Sequence, residues 1–218
     1  MLVNDLFDDE PQSTGANDKI APGAVLLRGF ALEHGNALLT AFNVITAAAP
    51  LRQMITPGGH VMSVAMSNCG SLGWASDGRG YRYLLQDPGS GKRWPAMPDA
   101  WFCLANSAAA QAGYAYFKPD ACLVNCYASG AKMGLHQDRD EWDFAQPIVS
   151  VSLGLPAVFL FGGLKRTDKP QRLRLSHGDV MVWGGSARLA FHGVAPLADG
   201  IHSVWGRRRV NLTFRRAG

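Results

Sequence analysis

Short apolar segments separated by turns make up the second half of the chain, and this pattern limits the possible folds more than any other feature of the sequence. Short strands at such spacing are typical of β-sandwiches and β-barrels. The 25 glycines and 12 prolines among the 218 residues suit the many tight turns that such a fold requires. The predicted strands are 121–129, 147–155, 157–163, 171–176, 179–185, 188–194 and 208–216. We therefore predict an all-β core for residues 119–218.

The first half of the chain predicts two helices and one short strand. Residues 23–30 have the composition of a strand. Residues 31–49 place apolar side chains on one helical face and end at Pro50, which cannot continue a helix. Asp99 is a suitable cap for a second helix over 100–112. We expect both helices to pack on the β core.

A single domain is expected, because a chain of this length can bury one full hydrophobic core. We predict that residues 23–218 form it and that its class is α+β, mainly β with N-terminal helices. Residues 1–22 are predicted to be a mobile tail. Residues 50–98 are rich in glycine, proline and aromatic side chains, and we predict that they cover one mouth of the core formed by residues 119–218.

The composition favours a globular cytoplasmic protein. Hydrophobic residues make up 47% of the chain and charged residues 17%. No apolar run approaches the ~20 residues needed to cross a bilayer, so no membrane partner is expected. The N-terminus is acidic and lacks the apolar core of a signal peptide. The four cysteines need not pair in a chain of this size, and a reducing compartment would keep them as thiols.

Charge is distributed unevenly along the chain. Residues 1–18 hold five acidic residues and no Lys or Arg, whereas residues 164–218 hold 11 basic residues against three acidic ones. An acidic segment beside a basic C-terminal quarter fits a polyanionic partner such as nucleic acid. A solvated basic surface without such a partner explains the charge equally well.

Two histidines and one aspartate have the spacing of metal ligands. His136 and Asp138 are two positions apart, so an extended chain directs both side chains to one face. His192 follows 54 residues after Asp138, within a strand-like segment. Two imidazoles and one carboxylate are the ligand set of the facial triad that binds Fe(II) and leaves positions open. Each histidine also fits a hydrogen-bonded core residue, and His177 is a rival third ligand.

The last predicted strand alternates strictly between polar and apolar residues from Arg209 to Arg215. If its apolar face packs on a neighbouring layer, both arginines face one cavity. Buried arginines need anions, and a ligand with two carboxylates would provide them. Asn125 and Tyr127 also share a strand face and are suited to bind the same small acid. The alternative is an exposed edge strand with solvated arginines.

Together these residues resemble the AlkB family of Fe(II)/2-oxoglutarate-dependent dealkylases. The resemblance extends from about Gly23 to Arg215, and the combination of H-x-D, a distal His and a final R-x5-R is specific to such enzymes. The matching segments include RQMITPGGHVMSVAMSNCGSLGW (52–74), RWPAMP (93–98), PDACLVNCY (119–127), LHQDRDE (135–141), PIVSVSLGLPAVFLFGGLKR (147–166), HGDVMVWGG (177–185) and RRVNLTFR (208–215).

The resemblance implies a double-stranded β-helix, or jelly-roll, core under a nucleotide-recognition lid. It implies Fe(II) as the metal, with 2-oxoglutarate and O2 as co-substrates. His136, Asp138 and His192 would bind the iron and, with Asp140, form the catalytic set. Arg209 would pair with the distal carboxylate of 2-oxoglutarate. The remaining residues of the 2-oxoglutarate pocket would be Asn125, Tyr127, Asn211 and Arg215.

The implied reaction is oxidative demethylation of bases such as 1-methyladenine and 3-methylcytosine in single- or double-stranded DNA, with RNA as an open alternative. The enzyme would be a monomer. Trp74 would stack on the flipped base with His136 on the other side, and Asp140 would lie near the exocyclic nitrogen of the base. The other implied substrate contacts are Tyr81, Arg166, Thr56, Met66 and Lys132.

Four positions depart from the family pattern. They are His60 in place of Tyr, Cys126 in place of Arg, Ser129 in place of Pro and Gly134 in place of Ser. Cys126 should point away from Asn125 and Tyr127, so these departures affect substrate preference rather than the reaction. Three other functions are weighed against base repair: a related oxygenase that acts on a protein or small molecule, a metal-binding jelly-roll without turnover, and a non-catalytic nucleic-acid-binding module.

Overall fold

The computed structural model describes residues 17–218. It contains two α-helices, α1 (Gly35–Ala48) and α2 (Asp99–Gln111), and two 3-10 turns at Leu32–His34 and Gly185–Ala187. The strands are β1 (Asn17–Ala21), β2 (Ala24–Leu27), β3 (Arg52–Ile55), β4 (Val61–Gly70), β5 (Gly73–Asp77), β6 (Gly80–Leu84), β7 (Ala121–Tyr127), β8 (Met133–His136), β9 (Ile148–Gly154), β10 (Ala157–Phe161), β11 (Gln171–Leu175), β12 (Val180–Trp183), β13 (His192–Val194) and β14 (Arg209–Arg215).

Two antiparallel sheets form the core. The larger sheet has eight strands in the order β1-β2-β12-β9-β14-β7-β4-β3, and the smaller has four in the order β11-β10-β13-β8. Consecutive strands along the chain repeatedly change from one sheet to the other, as the crossovers of a jelly-roll require. The fold is therefore the predicted jelly-roll with helices added, mainly β in content.

The larger sheet separates the helices from the interior of the jelly-roll. Its outer face packs on both helices, in a core that includes Phe42 of α1, Trp101 of α2 and Phe214 of β14. Its inner face contributes to a second core with the smaller sheet, which includes Phe159 and Trp183. The alternation predicted for β14 is confirmed, because its apolar residues face the helices and its polar residues face the interior.

The predicted lid over residues 50–98 is only partly separate from the core. β3 and β4 belong to the eight-stranded sheet, where β4 pairs with β7 in antiparallel register. Val64 and Met66 of β4 are buried in this position. The hairpin of β5 and β6 forms the separate two-stranded sheet. Sheet pairing with β7 thus overrides the local turn signals around β3 and β4, and the role of residues 50–98 as a cover stays a prediction.

The prediction that residues 1–22 form a mobile tail is wrong for the C-terminal end of this range. β1 pairs with β2, and Asp18 accepts a hydrogen bond from Arg28 Nε at 2.9 Å. Residues 1–16 of that prediction lie outside the described residues. Within residues 17–218, no helix is both long enough and apolar enough to cross a membrane.

Several element ends also differ from the predictions. Asp99 is the first residue of α2 rather than its cap; Pro98 precedes the helix in extended conformation, and its carbonyl accepts the N–H groups of residues 101 and 102. α1 begins at Gly35, after a 3-10 turn. The strand predicted over 188–194 is shorter in the structure. Only β13 is extended, because the preceding residues form turns around Ala187 and Ala190.

Candidate active site

Two strands of the smaller sheet bring the predicted metal ligands together. β13 pairs with β8 so that His192 lies directly opposite His136, and Asp138 follows two residues after the end of β8. One ligand atom from each of the three residues lies within 4.8 Å of the other two. The Nε2 atoms of His136 and His192 lie 3.6 and 3.7 Å from the Asp138 carboxylate. The predicted cluster is thus formed by side chains from separate parts of the chain.

Backbone carbonyls fix the tautomers of both histidines. His136 Nδ1 lies 2.9 Å from the carbonyl oxygen of Gly134, and His192 Nδ1 lies 3.0 Å from that of Ala190. A carbonyl only accepts, so each Nδ1 carries the proton and donates it. Each Nε2 therefore keeps a free lone pair beside Asp138, which is the arrangement that metal-bound histidines adopt.

The ionisation states around the cluster favour a cation. Burial and the charge of His192 lower the pKa of His136 to about 4, so its imidazole is neutral near neutral pH. Burial acts to raise the pKa of Asp138, but the charge of Arg215 and the contacts with the histidines outweigh it, and the pKa lies well below its usual value. Neutral imidazoles and an ionised carboxylate are the forms that ligate divalent metals.

A buried arginine, Arg209, faces the same cavity, and two of its hydrogen-bond donor atoms are unpartnered among the described residues. Arg209 is 1% exposed and donates one hydrogen bond, from Nη2 to Ser152 Oγ at 2.9 Å. Within residues 17–218, its Nε and Nη1 atoms have no hydrogen-bond partner. Its guanidinium lies over the ring of Tyr127, 4.9 Å from the centroid. Burial lowers its pKa, although Tyr127 acts in the opposite direction. Buried, unpartnered donors on a cation are costly, and a carboxylate would satisfy both of them.

A hydrogen-bonded set of polar side chains completes this wall of the cavity. Asn125 Nδ2 donates to Asn211 Oδ1 at 3.2 Å, and Thr213 Oγ1 donates to the same oxygen at 2.8 Å. Asn211 Nδ2 in turn donates to Ser150 Oγ at 2.8 Å. The Oδ1 atom of Asn125 is buried without a partner in the described part of the chain. Sequence reasoning identified both asparagines but missed Ser150 and Ser152.

Arg215, predicted to share the diacid with Arg209, is already paired with acidic side chains of the protein. Its Nε and Nη2 atoms donate to Asp138 Oδ2 at 2.9 and 2.5 Å, and its Nε lies 3.3 Å from Glu141 Oε1. The charge of Asp138 outweighs burial and raises the pKa of Arg215. The sequence indicated that both arginines need external anions. In the structure Arg215 is paired with acidic side chains, and unpartnered donors remain on Arg209 within the range described.

A third buried arginine, Arg188, holds the segment that carries Asp138. Arg188 Nη1 donates to the carbonyl of Asp138 at 2.8 Å, Nε donates to the carbonyl of Gln146 at 3.0 Å, and Nη2 donates to Glu141 Oε2 at 3.0 Å. Tyr83 of β6 donates to Glu141 Oε1 at 2.7 Å. Sequence reasoning missed this network, which joins the β5–β6 hairpin to residues 137–146.

Comparisons with known proteins agree with this geometry. Residues 23–215 match the model of the 2OG-Fe(II) oxygenase superfamily. The chain is 54% identical over 213 residues to the alpha-ketoglutarate-dependent dioxygenase AlkB of Salmonella typhimurium, covering 98% of this chain and 97% of the relative. It is also 54% identical over 215 residues to AlkB of Escherichia coli, covering 98% of each chain.

The chain belongs to the AlkB family. Like the relatives, this AlkB-family protein is a 2-oxoglutarate-dependent dioxygenase that uses Fe(II) and O2. The solved structure of OsALKBH1 has the same fold, with a TM-score of 0.81 and 28% identity over 92% of this chain and 100% of that chain. The two imidazoles, the carboxylate and the unpartnered Arg209 donors fit Fe(II) and a diacid.

We call the β5–β6 hairpin and residues 137–146 of this AlkB-family protein the substrate side, because they carry the predicted substrate contacts Trp74, Tyr81 and Asp140. Trp74 Nε1 donates to Asp140 Oδ2 at 2.8 Å, which fixes the indole relative to the Asp138 segment. The ring of Tyr81 stacks on Trp74 with centroids 5.5 Å apart and an angle of 13° between the planes. Tyr81 is 48% exposed, so it forms the outer surface of this aromatic pair.

Four other predicted substrate contacts lie in different settings. Arg166 is exposed beside the metal cluster, and its Nη1 donates to the carbonyl of Leu135 at 2.8 Å. Lys132 is exposed at the start of the β8 region. Thr56 accepts a hydrogen bond from the backbone N–H of His60 at 3.1 Å. Met66 is 1% exposed and lies opposite Asn125 in the sheet, so it belongs to the core rather than to the surface.

The alternative third ligand, His177, is not part of the metal cluster of this AlkB-family enzyme. Its ring contacts His202 with centroids 4.6 Å apart, and its Nδ1 accepts the N–H of Gly154 at 3.2 Å. The idea that His177 replaces His192 was therefore wrong. The expectation for Cys126 is confirmed, since it packs against the helix-facing core and not into the cavity.

Proposed function

We propose that this enzyme repairs DNA by removing methyl groups from N-alkylated bases such as 1-methyladenine and 3-methylcytosine. The observation that carries the proposal is the pairing of Trp74 with Asp140 beside the cluster of His136, Asp138 and His192. An aromatic face and a carboxylate, close to an oxidising centre, suit a flat cationic base. Methylation at N1 of adenine or N3 of cytosine produces such a base.

In this proposal His136, Asp138 and His192 hold the iron through the two Nε2 atoms and the carboxylate. Arg215 keeps Asp138 ionised through its two hydrogen bonds. Arg188 fixes the backbone of Asp138 by binding its carbonyl. When bound, Fe(II) and 2-oxoglutarate supply the oxidation by O2, and the products are succinate, CO2, formaldehyde and the repaired base.

Arg209 is proposed to hold the distal carboxylate of 2-oxoglutarate with its two unpartnered donors. Asn125, Tyr127 and Asn211 would close the pocket around the co-substrate, with Arg215 at its edge. These residues orient the diacid and exclude water from it. Because the polar wall is already hydrogen-bonded internally, it is preorganised and needs little rearrangement when the diacid binds.

The damaged base must leave the helix before it reaches the cluster. We propose that Trp74 stacks on the extruded base, with His136 on the other side, and that Asp140 binds the exocyclic amino group. Stacking of this kind contributes about 1–3 kcal/mol per base. Tyr81, Arg166, Thr56 and Lys132 would contact the sugar–phosphate backbone, and Met66 would back the base pocket.

The proposed substrate is DNA in both single- and double-stranded form, and the proposed working state is a monomer in the cytoplasm. RNA is the matched alternative substrate, because one similar protein from Schizosaccharomyces pombe is named a tRNA demethylase, at 28% identity over 158 residues. Free thiols at all four cysteines are consistent with a reducing compartment.

The deciding experiment is anaerobic loading of the enzyme with Fe(II) and 2-oxoglutarate, followed by addition of O2 and an oligonucleotide with one 1-methyladenine. We expect formaldehyde and succinate in equal amounts, with activity falling steeply as salt rises. The unmethylated oligonucleotide and His136→Ala are the controls. Succinate formation without methyl-dependent formaldehyde would reject base repair and favour an oxygenase that acts on a protein or small molecule.

A further inference from the structure

Trp142 is the feature of the substrate side that the proposed function leaves unexplained. Its side chain is 89% exposed, although tryptophan is highly buried on average and dominates interface energetics when it is covered. It lies in residues 137–146, the segment that connects the metal cluster to β9. Packing within residues 17–218 does not explain an indole held in water at this place.

The backbone that carries Trp142 is firmly held. Its N–H donates to the carbonyl of Ala217 at 3.3 Å. Glu141, the preceding residue, is buried and accepts hydrogen bonds from Tyr83 and Arg188. Arg188 also binds carbonyls near both ends of the segment, as described above. The exposure of the indole is therefore a property of the folded segment and does not arise from a loose loop.

Trp142 also lies close to the opening through which a base would enter. It follows Asp140 by two residues, and two residues span at most ~7 Å of chain. Asp140 is the residue that binds the Trp74 indole. Arg139, in the same segment, is exposed and has no ion pair or hydrogen bond through its side chain within residues 17–218. The rim of the site thus carries one free indole and one free guanidinium.

We propose that Trp142 is a second stacking site, which binds an unpaired nucleobase adjacent to the extruded base, while Arg139 contacts the phosphate between them. This inference rests on the proposed function. A free aromatic face beside a free cation is the arrangement that binds single-stranded nucleic acid. The neighbouring aromatic Phe144 is partly covered, since Arg188 lies 5.3 Å from its ring centroid. Trp142 is the more exposed of the two rings, and this small apolar surface suits a stacked base better than a protein interface.

The first test measures binding of a fluorescein-labelled single-stranded 1-methyladenine oligonucleotide by anisotropy, with anaerobic Fe(II)- and 2-oxoglutarate-loaded enzyme. We expect Trp142→Ala to weaken binding roughly 10-fold, as expected for one lost stack, with an unchanged dependence of log Kd on log salt. Trp142→Phe should recover most of the affinity. Arg139→Gln should reduce the salt slope. Tyr116→Ala, which removes an aromatic that is 87% exposed in the α2–β7 connection, is the matched control and should change neither quantity.

The second test separates stacking from a merely structural role of Trp142. Oligonucleotides are prepared with an abasic position on the 5′ or the 3′ side of 1-methyladenine. If the indole stacks on one of these neighbours, Trp142→Ala and that abasic position should each weaken binding, and the combination should cost no more than either alone. Additive losses on both sides would overturn the proposal, as would an unchanged Kd for Trp142→Ala.

The two proposals fail in distinguishable ways. If wild-type enzyme releases formaldehyde from the methylated oligonucleotide but Trp142→Ala binds it as tightly, the stacking site is rejected and base repair stands. If wild-type enzyme releases no formaldehyde, base repair itself is rejected. A concentration-dependent dimer in sedimentation that Trp142→Ala abolishes would assign the indole to a contact between copies of the chain, and would also overturn the stacking site.

Discussion

The two sides of the active site hold their functional groups by different means. The oxidation side, formed by β7, β8, β9, β13 and β14, places its groups on paired strands, and His192, Asn125, Asn211 and Arg209 are all at most 6% exposed. The substrate side, formed by the β5–β6 hairpin and residues 137–146, places partly exposed aromatic rings on a small hairpin and a connecting segment. The oxidation side is thus positioned by sheet register, and the substrate side by side-chain hydrogen bonds such as Trp74–Asp140. Substitutions on the oxidation side should therefore impair the oxidation reaction, and substitutions on the substrate side should impair recognition of the nucleic acid.

Loss of a metal ligand should have the largest effect. His136→Ala is expected to lower demethylation by more than ~100-fold, which is the upper range for losing even a hydrogen-bond partner of a metal ligand. The melting temperature should change little, because the His136 side chain is 38% exposed. Formaldehyde release and anaerobic Fe(II) titration measure the two properties. Near-normal turnover in this variant would contradict the ligand assignment.

Arg209→Met should affect the co-substrate rather than the nucleic acid. Truncating one partner of a buried, hydrogen-bonded charge pair costs about 2–5 kcal/mol, so the KM for 2-oxoglutarate should rise about 30-fold or more. The Kd for methylated oligonucleotide should stay within about 2-fold, because Arg209 lies on the oxidation side. Steady-state kinetics at varied 2-oxoglutarate give the first value. Equal losses for both ligands would show that the two sides are not separable.

Arg188→Met tests the network that joins the two sides. It breaks the buried pair with Glu141, which keeps Arg215 as its other arginine neighbour, and breaking a buried pair costs up to about 3–5 kcal/mol of unfolding free energy. The exposed pair of Arg207 and Asp199 is the matched control, and Arg207→Met should cost no more than ~1 kcal/mol. Urea denaturation measures both. Equal stability of the two variants would contradict the role assigned to Arg188.

Asp140→Asn should alter discrimination on the substrate side. Loss of its negative charge is expected to reduce kcat/KM for cationic methylated bases by roughly 10-fold relative to a neutral alkylated base, since a well-placed polar contact to a base is worth about 1–3 kcal/mol. Succinate formed without substrate should remain near the wild-type level. Parallel losses in both reactions would place Asp140 in the oxidation chemistry instead.

Lowering the pH should produce the smallest effect. The residue that responds, His177, lies on neither the oxidation side nor the substrate side of the active site. Burial and the charge of His202 lower the pKa of His177 below 6.5, although Asp179 acts in the opposite direction. Because the folded pKa lies below the unfolded value, the unfolded chain binds the proton first. The contribution of His177 to stability is therefore present above pH 6.5 and is lost as the pH falls through the lowered pKa. His177→Asn should flatten this part of the stability profile while Fe(II) binding persists, and loss of Fe(II) binding would restore His177 as a ligand.

The sequence predicted the oxidation side better than the substrate side. Alternation along 208–216 and the i, i+2 spacing of His136 and Asp138 are local patterns, and strand geometry translates them directly into shared faces. Ser150 and Ser152 carried the same signal, since they alternate with valines in β9, and were overlooked. The resemblance to the AlkB family then supplied roles that no local pattern contains.

Contacts between distant parts of the chain could not be predicted in this way. Arg188 and Glu141 are 47 residues apart, and Arg215 and Asp138 are 77 apart. Each arginine fits a solvated surface position equally well when only its neighbours in the sequence are considered. The same limit applies to β3 and β4, whose turn-rich surroundings gave no sign of their pairing with the central sheet.

The pairing of β1 with β2 has a practical consequence for handling the protein. β2 is bonded to β12 on one side and to β1 on the other, and its Leu26 and Leu27 are buried on opposite faces of the sheet. A shortened form that begins after Ala21 would expose a row of unpaired backbone amides and carbonyls next to apolar side chains, which is a template for aggregation. Expression of the protein without residues 17–21 should therefore yield less soluble material, although these residues lie outside the catalytic cavity.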